Sequence, residues 1–364
     1  MLDYLKNWFQ RRFSDPNTVT LTLLLVIGFA VIIFWGSILA PVLVAVALAY
    51  LLEWPVSILE KVGFNRLPAS LLVFALFMTF FILLIVFLVP VVWQQSTALL
   101  RELPLIAEAW QDLMEKAQEY APAFIEQSQV EEFTQRINTR LLEIGQGILD
   151  KSLGTLFVVA TLLVYLIIVP LMVFFMLKDK RELLGHFSRV LPEQRRLIQQ
   201  VGSEMNTQIM NYIRGKSLEI VIVSGVTFVV FTMFDLRFSA LLAILVGFSV
   251  LVPYIGAAVV TVPVALVGLF QFGMAPTLAW LMIAYMVIQA LDGNVLVPLL
   301  FSEAVSLHPV YIIAAVLVFG AIWGFWGVFF AIPLASLVKA VLTAFSSQLH
   351  HVEHAMKIEA KEQD

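Results

Sequence analysis

Eight long apolar runs, at 19–35, 38–52, 69–92, 153–177, 217–234, 239–272, 274–300 and 309–345, limit what this chain can become. A bilayer core of about 30 Å takes about 20 apolar residues of helix to cross. In lipid every backbone N–H and C=O must bond within the protein, so only helices and closed barrels span it. Runs this long are the helical solution. The remainder of the sequence offers no alternative: 61% of residues are hydrophobic and 13% charged, with a mean hydropathy of +0.94. Soluble domains carry about 25% charged residues. The expectation is an all-α polytopic membrane protein with about eight hydrophobic segments. The first run begins near Val19 and continues too far for the core of a cleavable signal peptide. With no cysteine, disulfides, thiol nucleophiles and thiolate metal sites are excluded.

Lys and Arg bias orients such a chain. The segment 178–216 holds eight basic residues against four acids, whereas 94–152 holds five against ten. The first therefore belongs in the cytoplasm and the second outside. Gly36-Ser37 reads as a tight hairpin between the first two runs if both cross. Crossings one to four then alternate, with both termini cytoplasmic. Residues 1–18, with Tyr4, Trp8 and Phe9 among Lys6, Arg11 and Arg12, read as an interfacial helix. In 94–152, Leu99, Leu103, Ile106, Trp110 and Leu113 form one apolar stripe, and Val130, Phe133, Ile137, Leu141, Ile144 and Ile148 another. Pro104 and Pro122 are expected to punctuate these helices. Their stripes are covered either by the protein itself or by another subunit.

The remaining divisions are segments 1–3 over 19–93, segment 4 over 153–177, a transport core over 217–345 and a cytoplasmic tail over 346–364. Two blocks of that core have the wrong length. A straight helix over 239–272 would run about 50 Å. Pro253 and Gly256 interrupt it, so a re-entrant hairpin is the economical reading, with two short crossings as the alternative. Block 309–345 is interrupted by Gly320, Gly324 and Gly327. At an offset of 71 the two align, with Leu236/Leu307, Ala243/Ala314, Phe248/Phe319 and Gly256/Gly327 identical. "TVPVALV" and "AIPLASLV", the latter with Pro333, follow. One crossing plus a hairpin as the unit gives an inverted repeat, the pattern of secondary transporters.

Polar residues inside these runs are the candidates for chemistry. "LDGNVLVP" places Asp292 and Asn294 beside Gly293 and Pro298, which loosen the helix. A charged group at that depth costs a few kcal/mol, so it either lines a polar cavity or caps a helix at the interface. Glu219 either pairs with Arg214 or Lys216 at the interface or couples an ion. His308 is a loop residue before Pro309 or a proton relay. Gln271 and Gln289 are amides at depth. "GKS" at 215–217 lacks the glycine a phosphate loop needs five positions earlier, since Met210 stands there. No nucleotide, nucleic acid or other cofactor is expected. Asp292 has no second aspartate at comparable depth, against an intramembrane protease. "HHVEH" at 350–354 reads as an exposed helix end before a metal site. No enzyme activity is expected.

"YIRGKSLEIVIVSG", "LVPYIGA", "LDGNVLVPLL", "SLHPV" and "GFWGVFFAIPLASLVKAV" together resemble the autoinducer-2 exporter-like, or PerM-like permease, family. The likeness covers nearly the whole chain. It implies a multi-pass permease of the bacterial inner membrane that assembles as a homo-oligomer, a pentamer in some members. Members are linked to export of autoinducer-2 or to sodium/proton antiport. Its pattern falls on Tyr212, Arg214, Gly215, Pro253, Gly256, Asp292, Asn294, Pro298, His308, Pro309, Gly327 and Pro333. The run from Gly320 to Gly327 is bulkier than the family's small-residue stretch.

The expectation is a secondary transporter of a small polar solute, coupled to H+ or Na+ and surrounded by membrane lipid. The proline- and glycine-broken tips are to frame its site, Asp292 and Asn294 to supply polar contacts, and Asp292 or His308 to carry a coupling proton. The rivals are a sodium/proton antiporter and a non-transporting scaffold acting through 94–152.

Overall fold

The computed structural model describes residues 16–120, 139, 152–190, 196–253, 255–301 and 308–340. Helix is the only regular structure among them. In chain order the helices are α1 (Pro16–Lys61), α2 (Arg66–Tyr120), α3 (Ser152–Lys178), α4 (Lys180–Val190), α5 (Arg196–Met233), α6 (Ser239–Ser249) and α7 (Ile255–Phe272). Then follow α8 (Pro276–Leu291), a π-helical turn (Asp292–Leu296), α9 (Val297–Phe301), α10 (Pro309–Phe329) and α11 (Ala331–Ala340). Among the described residues, six stretches are long and apolar enough to cross a membrane: Ile38–Lys61, Arg66–Ile106, Val201–Met233, Ile255–Phe272, Pro276–Phe301 and Val310–Phe329. Leu163–Lys178, α6 and α11 are shorter apolar helices.

Two expectations change. There is no hairpin at Gly36-Ser37, because α1 runs unbroken through it for 46 residues, about 69 Å. Gly36 is buried, and a Cβ on it would lie 1.8 Å from the indole Nε1 of Trp323. This glycine permits close approach of α10 to α1 and does not turn the chain. An unbroken helix separates its ends, so runs 19–35 and 38–52 are not a returning pair. The alternation that set the N-terminus beside the 53–68 loop loses its basis. Pro104 is the second correction: it lies inside α2, as does Pro90, and the Leu99–Leu113 stripe continues a membrane-spanning helix. α5 passes through Lys216 and Ser217 without a break. The 1–15 anchor, Pro122, the 130–137 and 141–148 parts of the second stripe, and 350–354 lie outside the described residues.

The chain divides into two compact units. The first comprises Met1–Phe74, Val169–Lys216 and Leu300–Asp364. Here Ala45, Val56, Val173 and Leu177 are fully buried. α1 ends where Gly63 takes a left-handed conformation (φ 108°) and Phe64 N–H bonds back to the Leu59 carbonyl. Beyond that turn, Arg66 gathers three groups. Its Nη2 donates to Glu53 at 2.8 Å, its Nη1 to Glu60 at 3.0 Å, and its Nε to the Leu177 carbonyl at 2.8 Å. Nη1 also reaches the other oxygen of Glu53 at 3.1 Å, and Lys180 donates to that oxygen at 2.8 Å. The ends of α1 and α3 are thereby tied together.

The family-pattern residues of α5 serve α9 and α10. Tyr212 is 2% exposed, and its hydroxyl donates to the Phe329 carbonyl at 2.8 Å, where α10 stops. Gly215 leaves room for Phe301, whose ring would lie 2.5 Å from an added Cβ. The Lys216 ammonium sits 5.3 Å over the same ring. Tyr212→Phe removes one hydrogen bond to a carbonyl without opening a cavity. It is expected to cost about 1 kcal/mol, read as a lower melting temperature of the purified protein; an unchanged melt would show that the bond contributes nothing. Within α10, Gly324 breaks the helix (φ 60°, ψ −137°), and Gly327 packs so that a Cβ would lie 1.8 Å from the Phe319 carbonyl.

The second unit comprises Ala75–Ile168 and Ser217–Leu299. Its core joins Val223 and Phe231 of α5, Leu242 and Val246 of α6, Val264 and Val267 of α7, and Leu281 and Tyr285 of α8. α6 and α7 pack on each other around a turn at 250–253. Gly256 closes that turn, with a would-be Cβ 1.8 Å from the Ser249 carbonyl. Gln271 bonds across the α5–α6 loop, accepting from Arg237 N–H at 2.7 Å and donating to the Asp235 carbonyl at 2.8 Å. Arg237 also pairs with Glu102 of α2 at 2.7 Å.

Candidate functional site

The polar residues of the second unit converge through the backbone of α8. Pro276 opens that helix and needs no bonded N–H there. At its far end Pro298 lacks the N–H that would bond the Asn294 carbonyl. The chain responds with one π-turn, in which Val297 N–H reaches back five residues to the Asp292 carbonyl. Asn294 steadies the widened turn, its Nδ2 donating to the Ala290 carbonyl at 2.8 Å. The amide is thus spent on backbone, and its side chain is exposed. Gly293 and Pro298 are exposed too.

Asp292, by contrast, is half-buried and falls on the inward face of α8. That face reads Leu281, Tyr285, Ile288 and Gln289, then Asp292 and Leu296, at helical spacing. Tyr285 is fully buried, with its hydroxyl 3.2 Å from Thr261 Oγ1 of α7. Gln289 stands one helical turn further along the same face. Thr261 also donates to the Ala257 carbonyl at 2.7 Å. The result is a polar track, Thr261–Tyr285–Gln289–Asp292, along the interior of an apolar unit.

α5 brings a second carboxylate to this unit. Its buried positions recur as Tyr212, Lys216, Glu219, Val223, Thr227 and Phe231. Glu219 is 1% exposed and Thr227 fully buried. Val223 and Phe231, on the same stripe, belong to the core that holds Tyr285, and the Phe231 and Tyr285 rings are 6.2 Å apart. Gly247 lets α6 approach α5 closely, since a Cβ there would lie 1.7 Å from Ser224 Oγ. A buried acid within so apolar a stretch carries a large desolvation cost when it is charged.

Of the sequence candidates, Gln289, Asp292 and Glu219 therefore lie in one unit, the first two on one helix face. His308 belongs to the other unit and is exposed. Its Nδ1 accepts from Val310 N–H at 3.3 Å, capping α10 ahead of Pro309. Arg214 is half-buried in the first unit, and Pro333 is buried in α11. Tyr285, Thr261 and Thr227 were not singled out from the sequence. Tyr285 carried a legible signal, standing four residues before Gln289 and seven before Asp292, on the same helical face.

The profile of the family described as "AI-2E family transporter" matches residues 21–347. "Putative permease PerM" of Escherichia coli K12 is 49% identical over 346 residues, covering 95% of this chain and 98% of that one. "Putative transport protein YueF" of Bacillus subtilis is 26% identical over 314 residues, covering 85% and 84%. A "Putative transport protein" of Synechocystis is 26% identical over 363 residues, covering 94% and 89%.

Proposed function

Because the chain belongs to the AI-2E transporter family, we propose that it is a secondary transporter moving a small polar solute across a bacterial inner membrane. The observation that carries this reading is the polar track that ends at Asp292, together with the buried Glu219 of the same unit. Glu219 and Asp292 lie in stretches long and apolar enough to span a bilayer. Glu219 lies inside α5, and Asp292 stands at the junction of α8 with the π-turn, within the continuous stretch Pro276–Phe301. Each can take up and release a proton as its surroundings change, which is the chemistry of ion coupling. Coupling is placed on these two and not on His308, whose Nδ1 is engaged in capping. Tyr285 and Thr261 supply hydroxyls to which a polar solute or its water can bond.

The breaks in the late helices support a finer reading, two re-entrant hairpins. α6 has 11 residues, about 16 Å, against a core of about 30 Å. The turn at 250–253 shifted by 71 falls on 321–324, where Gly324 breaks α10. Gly256 and Gly327 are also 71 apart, and each abuts a backbone carbonyl seven or eight residues earlier. One crossing between the hairpins would make them an inverted repeat. Homo-oligomeric assembly, a cytoplasmic 178–216 and an outward 94–152 complete the proposal. Autoinducer-2 is one solute of the right class.

The test is metabolite profiling of cells and medium with wild type, Glu219→Gln and Asp292→Asn. Wild type is expected to change the partition of at least one small polar solute by roughly tenfold or more, and either variant to abolish most of that change. No wild-type effect on any solute, together with Na+-dependent pH changes in everted vesicles, favours the antiporter. A full wild-type effect from both variants would remove the coupling role.

A further inference from the structure

The first unit holds a cavity that the transport reading does not use. It lies among α1, α3, α4 and α5 and measures about 150 Å³, the space of about five waters. Its lining is divided in chemistry. Tyr50, Glu53, Lys180 and Asn206 form a polar side, while Leu183 and Leu184 with aliphatics of α1 and α3 form an apolar one. Tyr50 donates to Asn206 Oδ1 at 2.8 Å, so the donor end of the Asn206 amide is its Nδ2.

Charge tells which occupant fits. The linked network at the cavity contains two acids, Glu53 and Glu60, and three cations, Arg66, Lys180 and Arg181. One positive charge is in excess. Arg66 already answers both acids, so the surplus resides on Lys180 and Arg181, whose side chains are 42% and 85% exposed. Position narrows it further. The apolar stretch of α3 ends at Lys178, between the lining residues Met176 and Lys180, which puts the cavity at a membrane–water boundary. α4 begins there with Lys180 and Arg181 and exposes Leu183 and Leu184. Basic residues next to exposed leucines on a short helix suit an anionic lipid surface.

We propose that this cavity binds an anionic phospholipid, its phosphate at Lys180 and Asn206 and an acyl chain across Leu183 and Leu184. The proposal stands independently of what the protein transports.

The experiment is native mass spectrometry of the full protein, purified in the presence of equal phosphatidylglycerol and phosphatidylcholine. Wild type should retain phosphatidylglycerol preferentially, and Lys180→Gln should reduce that retention roughly fivefold. Lys180→Arg should preserve it. Leu184→Gln, which leaves every ion pair intact, should also reduce it, so a folding defect at Lys180 does not shield the idea. Equal retention of both lipids, or unchanged retention in both weakened variants, would overturn the site. Displacement by soluble glycerol 1-phosphate as effective as by lipid would overturn the lipid assignment.

Discussion

Gly256→Ala and Gly327→Ala are each expected to cost the folded protein about 3 kcal/mol or more. The added Cβ would lie 1.8 Å from a backbone carbonyl oxygen in both cases, Ser249 for the first and Phe319 for the second. A clash with a flexible side-chain tip relaxes by a rotamer change. A clash with backbone relaxes only if the chain before and after the break moves apart. That movement would expose carbonyls and N–H groups that no lipid can bond. Gly293→Ala is the control, because nothing stands within 4 Å of its would-be Cβ. In helical backbone that exchange should be neutral or stabilising by about 0.5–1 kcal/mol. The melt is read from intrinsic fluorescence of the eight tryptophans in detergent-purified protein. Should Gly256→Ala melt together with Gly293→Ala, the tight turn does not exist and the hairpin reading loses its main support.

Arg66→Met should produce the second large effect, a loss of about 3–5 kcal/mol. Arg66 is 17% exposed, and Glu53 and Glu60 are 14% and 22% exposed. Removing the guanidinium leaves two carboxylates and the Leu177 carbonyl without the group that joins them. Lys180 then remains for Glu53 alone. Arg66→Lys should recover only part, because an ammonium cannot reproduce the fork that holds Glu53 through both oxygens. Adding Glu53→Gln to Arg66→Met should restore stability relative to Arg66→Met. Lys180→Ala, in contrast, should cost under about 1 kcal/mol, as its partner keeps Arg66 and its own side chain is 42% exposed. Additive losses in the Arg66→Met, Glu53→Gln double variant would mean that the pair is not coupled.

Much of the framework can be read from the residues in order. Pro253, Gly256, Gly324 and Pro298 mark the interruptions of the late helices, and Asp292 marks an acid at depth. Glu53 and Arg66 are less transparent. In the sequence they are two charges between the 38–52 and 69–92 runs, yet they form a network that joins α1, α2, α3 and α4. Gly36 misleads in the opposite direction: next to Ser37 it has the look of a turn, and it is instead the flat place where Trp323 rests. Asn294 stands beside Asp292 and shares its polarity, but the π-turn directs one to a backbone carbonyl and the other inward.

The sequence alone determined that this chain enters a membrane as helices and where those helices must yield. Both follow from covalent chemistry: apolar runs long enough for a bilayer, a proline without an N–H, a glycine without a Cβ. Tertiary structure alone decided which side of each helix faces protein. In a soluble helix polar residues betray the outer face, but in lipid both faces are apolar, so periodicity carries little. The alignment of Tyr285, Gln289 and Asp292, the use of Gly36 as a contact and the gathering at Arg66 become visible only when a neighbouring helix occupies one side.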